Sequence, residues 1–362
     1  MAKAETAESF PIALRVPAFM PTVRMWDSQF QGFTAQLMPE ANSPGGVNSN
    51  FKWPIVIDTG VIAPVGDLMS RAQFIETSIQ EESFWTRITK LGYYINPEQF
   101  KNEIGAGKLG IASTTKLKMV VKAIQRRIEL DRLNYISGDT TTIARFSTQD
   151  TARLKTWDVS SDSDMGSGKG GSWSGMTADM MYHLDLILRH SAEIGDDPLE
   201  NFFVGPDTYM YMNQNQTLMD NIKYTVDLRN RPIGDNIRGL RVHLVRLQRY
   251  KDESSTATMG MPGRGSPSYD TWTAIKSKHM MRHSSGGTEY EYGLLTAAKV
   301  GFTWRPPVYT AEKYPDGNIV TEAWMSHNPK VFYTYLTTRY GFAVEDFSKI
   351  HRLNKLAKVL VS

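Results

Sequence analysis

The sequence predicts a mixed α+β fold, on three observations. Several short runs rich in Ile, Val, Thr and aromatic residues, such as "FKWPIVI", "GLRVHLVRLQRY" and "KVFYTYLTTRYGFAV", have strand composition. Between them lies one long stretch, "STTKLKMVVKAIQRRIELDRLNYISGD", whose apolar residues recur at helical spacing. The 362 residues are 41% hydrophobic, enough to bury one large or two modest cores, and they carry no internal repeat that would favour a solenoid.

Along the chain, residues 1–50 show little periodicity and are punctuated by Pro11, Pro17, Pro21, Pro39 and Pro44, which predicts an extended arm. Residues 51 to about 105 read as β. In "ESFWTRITKLGYYI", Phe84, Thr86 and Ile88 share one face, and Trp85, Arg87 and Thr89 the other. Such a segment buries little by itself, so it needs a neighbour in this chain or in another. The long helix is expected over 113–137, opening on Ser113 or Thr114 and closing at Gly138 as a left-handed cap. Its roughly 24 residues give about 36 Å of length. Leu117, Val120, Val121, Ile124 and Ile128 form its apolar stripe, which Leu133 and Ile136 continue. Lys116, Lys118, Lys122, Arg126 and Arg127 lie largely off that stripe. They predict a solvated or subunit-contact face, partly neutralised by Glu129 and Asp131, with direct phosphate contact as the alternative.

Residues 139–176 are polar and predict a loop. A second helix follows between Thr177 and Gly195, then a short buried strand in "NFFVG" and a third helix in "PDTYMYMNQNQTLMDNIKY". Residues 251–270 are Gly/Ser/Pro-rich and predict a flexible loop. The tail, "EDFSKIHRLNKLAKVLVS", is a short basic segment to which no element is assigned.

Composition narrows the function classes. The chain has no cysteine, which removes disulfides, thiolate metal sites and cysteine nucleophiles. Its 41 Lys and Arg against 38 Asp and Glu leave a net charge of +3, sparse for a dedicated nucleic-acid binder. No apolar run approaches the ~18 residues of a membrane span. The first residues lack the apolar core of a secretory signal. The expectation is a protein made and used in cytoplasm, with no membrane partner.

Candidate chemistry is thin. "DMGSGKGGSWSG", residues 164–175, holds five glycines and Lys169. A phosphate-binding P-loop needs Gly-x-x-x-x-Gly-Lys-Ser/Thr after a strand. Here Gly168-Lys169 is followed by Gly170, the position five before Gly168 is Ser163, and polar "DVSSDSD" precedes. A flexible connector anchored by Trp173 is the reading; a nucleotide-dependent enzyme built on Lys169 is the alternative. His279 and His283 stand four apart, but Met280 occupies the place of a zinc protease's glutamate. Asp196 and Asp197 sit between Gly195 and Pro198 and read as a turn. No catalytic, cofactor or metal residue is assigned.

The order of elements resembles a family. An arm, a long β-loop, a basic helix ending "RRIELDRLNYISGD" and a later "NFFVGPDTYMYMNQNQTLMDNIKY" are similar to the major capsid proteins of tailed double-stranded DNA phages and their archaeal virus relatives. The match is to the Hong Kong 97-like fold, nearest its lambda-like branch. Arg126, Arg127, Glu129 and Gly138 match the spine helix of that branch, and Gly205, Pro206, Asp207 and Tyr209 match its strand-turn-helix. The resemblance implies an N-arm (1–50), an extended β-loop (51–108), a peripheral domain (109–150 and 270–345) and an axial domain (151–269 and 346–362). It implies subunit contacts at Phe84, Trp85, Arg126, Arg127 and Glu129, and structural turns at Gly138, Trp173, Gly205, Pro206 and Asp207. It implies a shell of hexamers and pentamers around packaged DNA held by non-specific electrostatics, with scaffold, portal and decoration proteins as partners and no cofactor. Assembly would occur in the host cytoplasm and the product would be the virion capsid. An encapsulin-like cellular compartment is the alternative within the same fold.

Overall fold

The computed structural model describes residues 23–27, 29, 31–41, 50–56, 79–95, 111–174, 179–194, 198–218, 237–245, 281–306, 319–327 and 330–359. Two compact units divide the chain: Met1–Thr151 with Gly301–Glu345, and Ala152–Val300 with Asp346–Ser362.

In the first unit, helix α1 (Ile111–Ile136) packs against strands β4 (Arg87–Ile95) and β12 (Lys330–Val344). All seven residues of the expected stripe, Leu117 through Ile136, are buried. The helix starts at Ile111, upstream of the expected Ser113 or Thr114. It ends in a Schellman arrangement. Gly138 takes φ +79°, its N–H donates to the Tyr135 carbonyl at 3.2 Å, and the Asp139 N–H reaches the Asn134 carbonyl at 3.0 Å. Asp139 at once caps a second helix, α2 (Thr140–Phe146), accepting from the Thr142 N–H at 2.9 Å. The loop expected over 139–176 is therefore corrected: it begins with a helix because a capping aspartate directly follows the glycine.

The sheet of this unit runs β1 (Glu40–Ala41), β10 (Gly301–Trp304), β12, β11 (Ile319–His327), with β4 also antiparallel to β12. Strands β2 (Asn50–Val56) and β3 (Ile79–Trp85) form a separate antiparallel pair. Thr86 interrupts the alternation expected across residues 84–89. The extended arm expected over 1–50 is corrected for its described part. Residues 23–27 are helical, β1 pairs in parallel with β10, and Val23, Trp26, Leu37 and Met38 are buried. These few apolar side chains, spaced without a regular period among prolines, are core-forming all the same.

The second unit holds a six-stranded sheet in the order β5 (Lys155–Asp158), β13 (Ile350–Lys358), β9 (Thr288–Thr296), β6 (Asn201–Val204), β7 (Arg241–Leu244), with β8 (Arg282–Ser285) paired to β9. Helices α3 (Asp162–Met165), α4 (Met180–Ile194) and α5 (Pro206–Gln214) also belong to this unit. Trp157, Trp173, Leu184, Phe202, Leu295 and Leu353 share its core. The unassigned tail is β13, an interior strand of this sheet. Its register shifts between Leu353 and Ala357, with Lys355 at φ +54°, so its burial pattern breaks period two. Strands β8 and β9 also correct the grouping of 270–345: they pair within the second unit, because Glu289 and its neighbours form a hairpin with β8 and Leu294 and Leu295 bond to β6. Helix α4 is capped by Asp179, which accepts from the Tyr182 N–H at 3.1 Å. Thr177, Gly195, Asp196, Asp197, His279 and residues 251–270 lie outside the described residues.

Candidate functional site

The glycine-rich stretch shows what its backbone donors do. A strand does precede it, β5, which corrects the expectation of polar coil. Its central N–H groups are nevertheless occupied by its own chain. Gly170 donates to the Asp162 carboxylate at 2.7 Å, Gly171 to the Val159 carbonyl at 2.7 Å, and Lys169 to the Gly166 carbonyl at 3.0 Å. A phosphate would have to displace an aspartate already seated in the turn. The Lys169 ammonium meets Asp179 at 3.5 Å and lies over the Tyr182 ring. Trp173 is fully buried; its Nε1–H donates to His183 Nδ1 at 3.0 Å. His183 Nε2 then carries the proton and donates to the Lys169 carbonyl at 2.8 Å. The stretch is thus tied down at Asp162, Trp173 and Lys169.

The chemistry-bearing side chains instead converge on α1. Its C-terminal half is buried nearly all round, so its charged residues must be paired inside. Glu129 accepts from the Thr34 N–H at 3.0 Å and hydroxyl at 2.7 Å, and lies 3.4 Å from Arg132, whose Nε donates to the Thr303 hydroxyl at 3.1 Å. Arg305 pairs with Asp27 and with Glu40 at 3.1 Å, and donates to the Thr338 hydroxyl at 3.0 Å. Gln125 completes this group by donating to Asp27. Arg127 donates to Asp131 at 3.0 Å, and Asp131 accepts a second bond from the Tyr340 hydroxyl at 2.6 Å. Burial pushes the Asp131 carboxyl above its usual range, against the pull of Arg127. These groups clamp the N-terminal segment, the helix and strands β10 and β12 to one another.

Two predicted contact residues are corrected. Phe84 is buried in its own chain, stacked on Phe51 at 5.1 Å and edge-on to Trp304. Glu129 is an internal partner of Thr34 and Arg132 rather than a neutraliser of a solvated face, whereas Asp131, though buried, does neutralise Arg127. Arg126, Arg127 and Trp85 keep part of their surface exposed. Arg132, Arg305, Asp27 and Tyr340 were missed. The available signal was a lone charge inside an otherwise apolar run, as at Arg305 after "GFTW".

The Gly205-Pro206-Asp207 turn has a physical explanation. Glu291, a carboxylate with no exposed surface on β9, accepts from the N–H groups of Asp207 at 3.3 Å and Thr208 at 2.8 Å, and from the Thr208 hydroxyl at 2.9 Å. It caps α5 from another strand. Pro206 stands at the first helical position, where no donor is needed, and a side chain at Gly205 would overlap the carboxylate. Asp207 pairs with Arg282 at 3.2 Å. Among the described residues no group of His, Asp or Glu could hold a metal ion, and no helix is long and apolar enough to cross a membrane.

No family model matches the sequence, and no curated protein matches it. Solved structures do match. A protein described as a capsid protein of a prophage of E. coli CFT073 superposes with a TM-score of 0.52 at 12% identity, covering 94% of this chain and 97% of that one. A phage-related protein from Bordetella bronchiseptica RB50 gives 0.51 at 10% identity, covering 93% and 96%. A structure from Mycobacterium phage Che8 gives 0.51 at 10% identity, covering 90% and 92%. At such identities the likeness is one of fold, and it runs nearly end to end in each pair.

Proposed function

We propose that this chain, which has the Hong Kong 97-like α+β fold, is a major capsid protein that assembles through hexamers and pentamers into the icosahedral head around a double-stranded DNA genome. The observation that supports this most is the end-to-end likeness to phage and prophage proteins, with little of either chain left over. In this reading α1 is the spine helix, the first unit carries the peripheral domain, and the second unit the axial domain. Residues 51–108 form the extended loop, whose β2–β3 base is anchored by Phe84. The chain acts by packing against copies of itself. Scaffold, portal and decoration proteins are its further partners, packaged DNA touches it without sequence preference, and it passes from the host cytoplasm into the virion.

Expression of the full chain, alone and with the scaffold gene of its own cluster, tests this by analytical ultracentrifugation and electron microscopy. Closed particles of uniform size are expected. A chain that stays monomeric under every assembly condition overturns the proposal. Particles filled with a protein cargo rather than DNA would move it to the encapsulin-like alternative.

A further inference from the structure

An open cavity of about 350 Å³ lies in the first unit, lined from β4, α1, α2 and β12. Three guanidinium-bearing residues, Arg87, Arg127 and Arg145, border it together with Lys90. They face one carboxylate, Asp131, which is already taken by Arg127 and by the Tyr340 hydroxyl. Arg87 donates through Nε to the Arg145 carbonyl at 2.8 Å, and neither Arg87 nor Arg145 forms an ion pair with a described residue. Among the described residues the cavity therefore holds two guanidinium groups without a close carboxylate partner, Arg145 feeling Asp131 only at longer range, beside the Arg127 pair that is satisfied. Ile88 on its rim is 57% exposed, an apolar side chain that a neighbouring protein would cover.

We propose that this cleft receives a carboxylate side chain from a second copy of the chain. The inference rests on the shell reading above and specifies one of its contacts. Guanidinium forks match a carboxylate in plane and can bind it through paired N–H bonds. The chain's net charge is only +3, so a local cationic excess has acidic surface to meet on another copy. A cavity of this size admits one side chain, whereas duplex DNA would touch only its mouth. The buried Asp131 carboxylate at the wall also disfavours a phosphate dianion more than a singly charged carboxylate.

The test uses the full chain with Arg145→Gln, Arg145→Glu and, independently, Arg87→Gln, each checked for unchanged circular dichroism and melting temperature. Assembly is followed by sedimentation over a salt series, and retention of a random-sequence duplex by fluorescence anisotropy. The concentration needed for assembly is expected to rise about tenfold in the Gln variants and further in Arg145→Glu, with weaker salt dependence and unchanged duplex retention. Variants that assemble like the wild type overturn the inference alone. So does a loss of duplex retention with assembly intact, which would assign the cleft to phosphate. A wild-type chain that never assembles overturns the shell reading and this contact with it.

Discussion

Among the described glycines, Gly205 and Gly32 stand where the carboxyl group of a residue far along the chain occupies the space a side chain would need. A Cβ on Gly205 would lie 2.3 Å from the Glu291 carboxyl carbon, and one on Gly32 2.0 Å from that of Glu129. Each glycine precedes a helical turn without a side-chain cap of its own, and in each the distant carboxylate supplies the missing acceptors. Gly205→Ala should therefore lower stability by about 2–3 kcal/mol, through overlap and displacement of a buried acceptor. Combined with Glu291→Ala the loss should fall short of the sum by about 1 kcal/mol, because the alanine removes the group that clashes. Additive losses in urea unfolding would show that the two residues do not interact. His351 makes a pH-dependent prediction at the same scale. Its Nδ1 accepts the Trp157 Nε1–H at 3.2 Å, which requires a neutral ring, and burial together with His190 and Lys155 pulls its pKa down to about 4. An unfolded histidine titrates near 6.5. Between about 6.5 and about 4 the unfolded chain binds a proton that the folded chain refuses, so stability is full at neutral pH and falls as pH drops through that window. The loss should reach about 3 kcal/mol by the lower end. His351→Asn should flatten the fall of melting temperature between those pH values; an unchanged slope would remove His351 as its source.

At the scale of elements, the long helix shows what periodicity makes legible. Its seven stripe residues all lie inside, because one apolar face at 3.6-residue spacing has only one way to be buried. Ile128→Ala should cost about 3 kcal/mol, while Lys122→Ala on the exposed face should stay within about 0.5 kcal/mol, both read from chemical denaturation. A similar loss at both positions would contradict the orientation. The same helix shows what periodicity hides. Glu129, Asp131 and Arg132 lie off the stripe yet are buried, because the N-terminal segment and strands from the far end of the chain close over that side. The Arg127–Asp131 and Glu129–Arg132 pairs are legible in "RRIELDRL" as i,i+4 and i,i+3 spacings, but the partners Thr34 and Thr303, 95 and 171 residues away, are not. Strand β13 was illegible for a different reason: its bulge puts Leu356 and Ala357 both inside, so no alternation survives to be seen. The glycine-rich stretch was legible from a missing hydroxyl, but the Asp162 carboxylate that fills it depended on a tertiary turn. The basic cleft was invisible in sequence, since Arg87, Arg127 and Arg145 come from three elements.

For the whole molecule, the decisive question is how folding within one chain is divided from assembly between chains. The first unit buries Phe84 on Phe51, Phe302 and Trp304, so the base of the β-loop belongs to a core that one chain completes by itself. Removing residues 60–90 would therefore destroy β3, part of β4 and that core, and would report on folding rather than assembly. The register offers a cleaner cut. Val56 and Ile79 face each other across the β2–β3 ladder, so the chain between them can be replaced by a two-residue Asn-Gly turn without disturbing the pairs below. The shortened chain should retain wild-type circular dichroism and melt within a few degrees of the full chain, because every buried contact named above remains. If residues 57–78 reach across to a neighbouring subunit, as the shell reading has it, this folded chain should fail to form closed particles and should sediment as single subunits or isolated capsomers. Normal particles from it would place the interlocking contacts elsewhere on the subunit. A chain that unfolds would instead show that those residues belong to the core of the first unit, and circular dichroism separates that outcome from a failure to assemble.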